Sequence, residues 1–234
     1  MPFRSLEAAA AAVKKGRTAA VFVEPVQGEG GINAAGAEFL GGLRRLCDDA
    51  GALLVFDEVQ CGLGRTGRLW AHEAAGVAPD MMTLAKPLAG GLPIGAVLLA
   101  QHVADAIAPG DHGSTFAGNP LCCAAAVATF DVIAEPAFLA DIVRKGEALT
   151  AGLRAALAGV EGVVEVRGAG LLVGVQLTAP AGPVVEAARR RGLLVITAGA
   201  GDVVRLAPPL TVTDAEIGRA CALLGEAVRE ALAG

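Results

Sequence analysis

The chain has no tyrosine and a single tryptophan, and its 19 lysines and arginines are spread thinly through 234 residues. With a formal charge of -5 there is no basic stripe to neutralise a phosphate backbone, which argues against nucleic acid as a partner. The five cysteines show no CxxC spacing and no histidine neighbours at metal-ligand distance, so neither a disulfide framework nor a zinc site is expected. A reducing compartment suits them. His72, His102 and His112 stand apart, with no cysteine or carboxylate at ligand spacing, and read as surface or packing residues.

Also lacking is a long unbroken apolar run, although the mean hydropathy is +0.56. The longest uncharged stretches, residues 87–104, 113–130 and 168–185, are interrupted by Gly, Pro, Asn, Gln or His. A spanning helix needs about 20 consecutive apolar residues, so these are read as buried strands and helices of a soluble protein, with no membrane partner. The opening Met1-Pro2-Phe3-Arg4 and its alanine run suit a capped surface helix better than a targeting peptide, because Glu7, Lys14 and Lys15 are charged. Ser5 is expected to open that helix and Gly16 to end it.

What is present is a chain with 54% apolar residues, long enough to bury a large core. Strand-length apolar runs at 19–24, 53–57, 81–85 and 96–99 alternate with helical patterns, which predicts a parallel sheet of the α/β kind. Between the first two, Phe39, Leu40, Leu43 and Leu46 fall at helical spacing and Gly51 stops the helix. Alanine-rich helices follow at 121–133 and 137–158, with Pro136 at the joint. Beyond lie strands at 160–167, 171–177, 193–197 and 203–206, helix 183–191 and a closing helix. The expected organisation is a parallel-type large domain over residues 1–135 and a small α+β domain over 136–234.

In open parallel sheets the ligand site lies at the carboxyl ends of the strands. Two buried runs end on charge there: residues 53–56 deliver Asp57 and Glu58, and residues 81–85 deliver Lys86. On neighbouring strands about 4.8 Å apart, a flat ring fits between them, its protonated nitrogen on Asp57 and its aldehyde condensed with Lys86. A lysine at an apolar strand end loses solvation, which favours the neutral, nucleophilic amine. The other reading of the same pair is a structural ion pair at the sheet edge. A second motif competes: Gly62-Leu63-Gly64-Arg65-Thr66-Gly67 is a GxGxxG after a strand with Asp80 downstream, the pattern of a dinucleotide site in an NAD-dependent oxidoreductase. The charge of Asp57 and Glu58 opposes a pyrophosphate there.

The wording around these residues is similar to the class III aminotransferases, which depend on pyridoxal 5'-phosphate (PLP). The matching stretches are EPVQGEGG at 24–31, FDEVQCGLGRTG at 56–67, LAKPLAGG at 84–91 and HGSTFAGNP at 112–120. With RLAPPL at 205–210 the chain most resembles acetylornithine aminotransferases, with ornithine δ-aminotransferase as the near relative. The resemblance implies PLP fold type I, the aspartate aminotransferase-like architecture. It also implies that Lys86 binds PLP, Asp57 pairs with the ring nitrogen, Val59 packs on one ring face and Gln60 contacts the ring hydroxyl. Thr115 is implied to bind the phosphate of the cofactor held by a partner subunit, hence a homodimer with shared sites, although it could instead cap the following helix. Arg205 is implied to clamp the substrate α-carboxylate and Glu29 to neutralise that arginine when the ω-amino donor is bound; a rim salt bridge is the plainer reading of Arg205. Glu24 has no assigned role.

The implied reaction passes the amino group of N-acetylornithine, or a related ω-amine, to 2-oxoglutarate, in arginine biosynthesis. The implied compartment is the cytoplasm or the interior of a plastid or mitochondrion, any leader lying upstream of Met1. Members of the family run to nearly twice this length, and the amino-terminal half supplies the main phosphate-binding turn and the aromatic residue stacked on the ring. From this a fragment with little or no activity is expected, and a non-catalytic dimerisation partner is the alternative of another class.

Overall fold

The structure, a computed structural model, describes residues 3–233; Met1 and Pro2 of the opening segment lie outside the described residues. Two compact units divide the chain. The first takes the chain up to Pro25 together with Ala35–Leu63 and Arg68–Glu135, and the second takes Val26–Ala34, Gly64–Gly67 and everything from Pro136.

In the first unit, helix α1 (Leu6–Ala12) is capped by Ser5, whose Oγ accepts from the amide of Ala8 at 3.1 Å. It ends at Val13, not at Gly16, because Val13 turns extended and residues 14–18 close a turn of their own, with the amide of Lys14 donating to Thr18 Oγ1. Strands β1 (Ala20–Val23), β2 (Leu53–Asp57), β3 (Met81–Leu84) and β4 (Ala96–Leu99) form one sheet in that order. Helix α2 (Ala37–Ala50) crosses from β1 to β2 and stops at Gly51, whose φ of +67° is the left-handed conformation that glycine adopts without a Cβ clash.

The strands β1, β2 and β3 are parallel, but β4 runs antiparallel to β3, with Met82 opposite Leu98. The expected parallel sheet therefore holds for β1, β2 and β3, and β4 is the exception. Residues 85–95 hold only the 3-10 turn Lys86–Ala89, and a crossover back to parallel needs about a dozen residues or more. Alternation along β1 and β2 sends Val21, Val23, Leu54 and Phe56 toward α2, where Phe39, Leu40, Leu43 and Cys47 meet them. Each fully buried side chain among them, such as Leu54, Phe56 or Leu43, contributes about 1.5–3 kcal/mol. On the opposite face Val55, the partner of Phe22 across β1 and β2, is buried, while the outer positions Phe22 (69% exposed) and Val97 (54%) are open. Beyond β4 come the short helix α3 (Gln101–Ala104) and α4 (Pro120–Ile133), which packs against the Lys86–Ala89 turn.

The second unit contains α5 (Pro136–Ala156), β5 (Val163–Ala169), β6 (Leu172–Leu177), α6 (Gly182–Arg190), β7 (Ile196–Ala198), β8 (Val203–Leu206) and α7 (Asp214–Leu232). Its sheet has the order β5-β6-β8-β7 and is antiparallel throughout. The strand expected at 193–197 starts only at Ile196, since the amide of Leu193 is still engaged with the Ala188 carbonyl at the end of α6. One face buries Val166, Val173, Val175 and Val204 against Leu149, Leu153, Leu224 and Val228 of the helices. The other face carries Arg167, Gly174 and Arg205, and over it lies the Val26–Ala34 hairpin. Among the described residues, no single helix is long and apolar enough to cross a membrane.

Candidate active site

Asp57 is the last residue of β2 and pairs in register with Thr83 of the parallel neighbour β3, three residues before Lys86. Both charged residues therefore stand at the carboxyl ends of adjacent parallel strands, the edge where ligands of such sheets bind. The Asp57 carboxylate is held on one oxygen: Oδ1 accepts from the amide of Val59 at 3.0 Å and from the Thr83 hydroxyl at 3.0 Å. That leaves Oδ2 to receive a further donor.

Lys86 opens the 3-10 turn with a φ of +38°, one of four non-glycine residues with positive φ among those described. Such a conformation costs on the order of 1–3 kcal/mol and tends to sit at functional positions. Its side chain is exposed, so the desolvation expected of a lysine at an apolar strand end is not present here. The turn is backed by α4: a Cβ on Gly90 would meet Thr129 Oγ1 at 3.1 Å.

Glu58 forms a buried anchor that the spacing of residues in sequence did not reveal. It is 1% exposed, and its carboxylate accepts from the amides of Ala71 (2.7 Å) and His72 (2.9 Å) and lies 2.8 Å from His72 Nδ1. His72 is thus not isolated; its partner lies 14 residues away. Gly62 is required beneath this group, because a Cβ there would come within 2.8 Å of the Glu58 carbonyl and carboxylate. The tie pins the start of the 3-10 turn Ala71–Ala75 to the strand end that carries Asp57.

Val59 and Gln60 follow Asp57 in the turn, both half-buried. Thr115 lies in an exposed loop of the first unit, and the cap of α4 is Asn119, whose Oδ1 accepts from the amides of Leu121 and Cys122. Thr115 is therefore not that cap. The dinucleotide pattern has no structural footing: residues 62–67 form turns and open no helix, and Asp80 is engaged. Its Oδ2 accepts from the amide of Leu54 at 2.6 Å and from Arg44 at 2.8 Å. Burial works against its ionisation, but those two donors outweigh it and hold the carboxyl below the ordinary carboxylate range.

In the second unit Arg205 projects from β8, 8% exposed, and its Nη1 donates to Glu29 Oε1 at 2.6 Å. Glu29 is 69% exposed at the tip of the hairpin. Arg65, in the short segment of this unit, donates to the carbonyls of Pro208 (2.5 Å) and Leu171 (3.2 Å) and so holds the chain just past Arg205. Burial lowers the pKa of its guanidinium to about 10. Neither Arg65 nor Arg167 is distinguished by local sequence pattern; the one available signal was Gly174 within a strand, which marks a close backbone approach.

The sequence model of the family described as Aminotransferase class-III matches residues 2–228. The chain belongs to that family. Class III aminotransferases are PLP-dependent, and their fold is the one described above. Acetylornithine aminotransferase, mitochondrial, of Alnus glutinosa is 56% identical over 224 residues, covering 96% of this chain and 50% of that protein. Among solved structures of class III enzymes, N-acetylornithine aminotransferase from Stenotrophomonas maltophilia K279a superposes with a TM-score of 0.90 at 39% identity, over 100% of this chain and 62% of that one. Plasmodium falciparum ornithine δ-aminotransferase gives 0.91 at 32% identity, over 100% and 60%. The chain spans about half the length of the curated class III relatives it matches.

Proposed function

We propose that this chain carries the lysine-bearing part of a PLP transaminase site, in a large cofactor-binding part (1–135) followed by a small domain (136–234). The reading rests above all on one observation: Asp57 and Lys86 end neighbouring parallel strands in a class III chain. The residues present fit the cofactor. Asp57, fixed through Oδ1, offers Oδ2 to a pyridinium N–H, and Lys86 offers an accessible amine. Val59 would pack on the ring, Gln60 would contact its hydroxyl, and Thr115 would reach the phosphate of the cofactor held by a partner subunit in a homodimer. Bound there, PLP supplies the electron sink for carbanion chemistry. Lys86 Nζ takes the proton from the substrate carbon that bears the amino group and delivers it onward, as a general base and then acid.

Arg205 and Glu29 would sort the two substrates. A guanidinium fork suits a carboxylate, and of this pair only Glu29 is exposed, so its carboxylate can return to water when it is released. An incoming carboxylate can therefore displace the exposed Glu29 while Arg205, fixed in its strand, stays in place. The donor proposed is N-acetylornithine and the acceptor 2-oxoglutarate, in arginine biosynthesis, as the names of the relatives suggest. Ornithine is the second candidate donor, favoured by the likeness to the Plasmodium enzyme.

Incubation of the chain with PLP, borohydride reduction and peptide mapping tests the central claim. A phosphopyridoxyl mass on Lys86, absent from Lys86→Ala, is expected; label confined to other lysines sinks it. Comparing kcat/KM for N-acetylornithine and ornithine with 2-oxoglutarate then decides the donor.

A further inference from the structure

Arg167, Gly174 and Arg205 form one lateral row across three adjacent strands: Arg167 is opposite Gly174 in the β5–β6 pairing, and Gly174 is opposite Arg205 in the β6–β8 pairing. The two arginines are thus two strand spacings apart, about 9–10 Å, with a glycine between them. The hairpin that bears Glu29 rests on this row. Ile32, 1% exposed, sits over Gly174, where an added Cβ would come within 3.0 Å of Ile32 Cγ1 and 3.1 Å of Ile32 Cβ.

At one end of the row the Glu29 carboxylate takes Arg205 Nη1. At the other, the Arg167 fork closes on the Gly31 carbonyl through Nε (2.9 Å) and Nη2 (2.6 Å). Glu165 (2.5 Å) and Gln176 (2.9 Å) hold the fork in that orientation. A further bond, from the amide of Gly199 to the carbonyl of Glu29 at 2.8 Å, seats the same hairpin.

We infer that Arg167 is a positioning residue for the Glu29–Arg205 pair. By fixing Gly31, two residues from Glu29, it sets how firmly Glu29 competes with a substrate carboxylate for Arg205, and so tunes the choice between ω-amino donor and dicarboxylate. Bidentate capture of one carbonyl restrains the hairpin backbone as a lysine ammonium cannot. The inference rests on the carboxylate-clamp reading of Arg205.

Two measurements on the full chain test it. The first needs no ligand: amide hydrogen exchange should quicken about tenfold at Gly199 and at Gln27, whose amide donates to the Asn33 carbonyl across the hairpin at 2.9 Å, in Arg167→Met, less in Arg167→Lys, and stay unchanged at Val175 within the sheet. Unchanged exchange at Gly199 overturns the inference. The second is calorimetric titration with glutarate. Arg167→Met should tighten glutarate several-fold toward the affinity of Glu29→Gln, and should add nothing when combined with Glu29→Gln, since two changes that act through the same backbone segment are not additive. An Arg167→Met effect that persists in the Glu29→Gln background also overturns it. Glutarate binding that is absent throughout, or that survives Arg205→Met, counts against the clamp reading instead, and the exchange data then judge Arg167 alone.

Discussion

At the scale of single residues, Lys86 and Glu58 show how the strand ends are built. Lys86 holds a φ of +38° and is exposed, so little packing opposes its replacement by glycine. Lys86→Gly is expected to stabilise the first unit by about 0.5–1 kcal/mol, relief of left-handed strain exceeding the added chain entropy. The only tryptophan of the chain, Trp70, lies in that unit, so urea unfolding followed by its fluorescence reads the change. A destabilised variant would show that the conformation is not strained. Glu58→Ala acts in the opposite direction. It leaves the amides of Ala71 and His72 without their acceptor, and a loss of about 2–4 kcal/mol is expected in the same assay.

At the scale of elements, the second unit depends on close backbone approach. Gly146 on α5 faces the tight turn between β5 and β6, where a Cβ would lie 2.4 Å from the Gly170 carbonyl oxygen and 2.6 Å from Gly170 Cα. Neither is the end of a flexible side chain, so the helix itself must shift. Gly146→Ala is expected to cost about 3 kcal/mol or more, seen as a lowered thermal midpoint by circular dichroism. A loss below about 1 kcal/mol would mean that α5 slides freely on the sheet. The contact also explains why β5 and β6 join through Gly170, whose φ is +52° and whose own Cβ would strike Arg65 and Thr66 backbone atoms at 2.6 Å.

At the scale of the whole molecule, acid stability and the division between local and tertiary information come together. The Asp80 carboxyl is held below its ordinary value of 3.8, so its contribution is fully present above that pH and is lost as pH falls through the lower folded value. Asp80→Asn should therefore cost about 1–3 kcal/mol at pH 7, and the gap to wild type should shrink below pH 3.8. Urea midpoints at both pH values check this; a gap that grows in acid would mean the sign is wrong. The sequence by itself determined the apolar strand runs, most helix positions, Gly51 as a stop, and the placing of Asp57 and Lys86 at strand ends, because period-2 alternation, 3.6-residue spacing and capping are local properties. Tertiary structure alone decided the exposure of Lys86, the pairing of His72 with Glu58 and the seat of the Glu29 hairpin on Arg167 and Gly174. Those features depend on chain reversals and on contacts such as Arg167 with Gly31, 136 positions apart. No local pattern encodes them, since each arises only when separate strands have been brought into register.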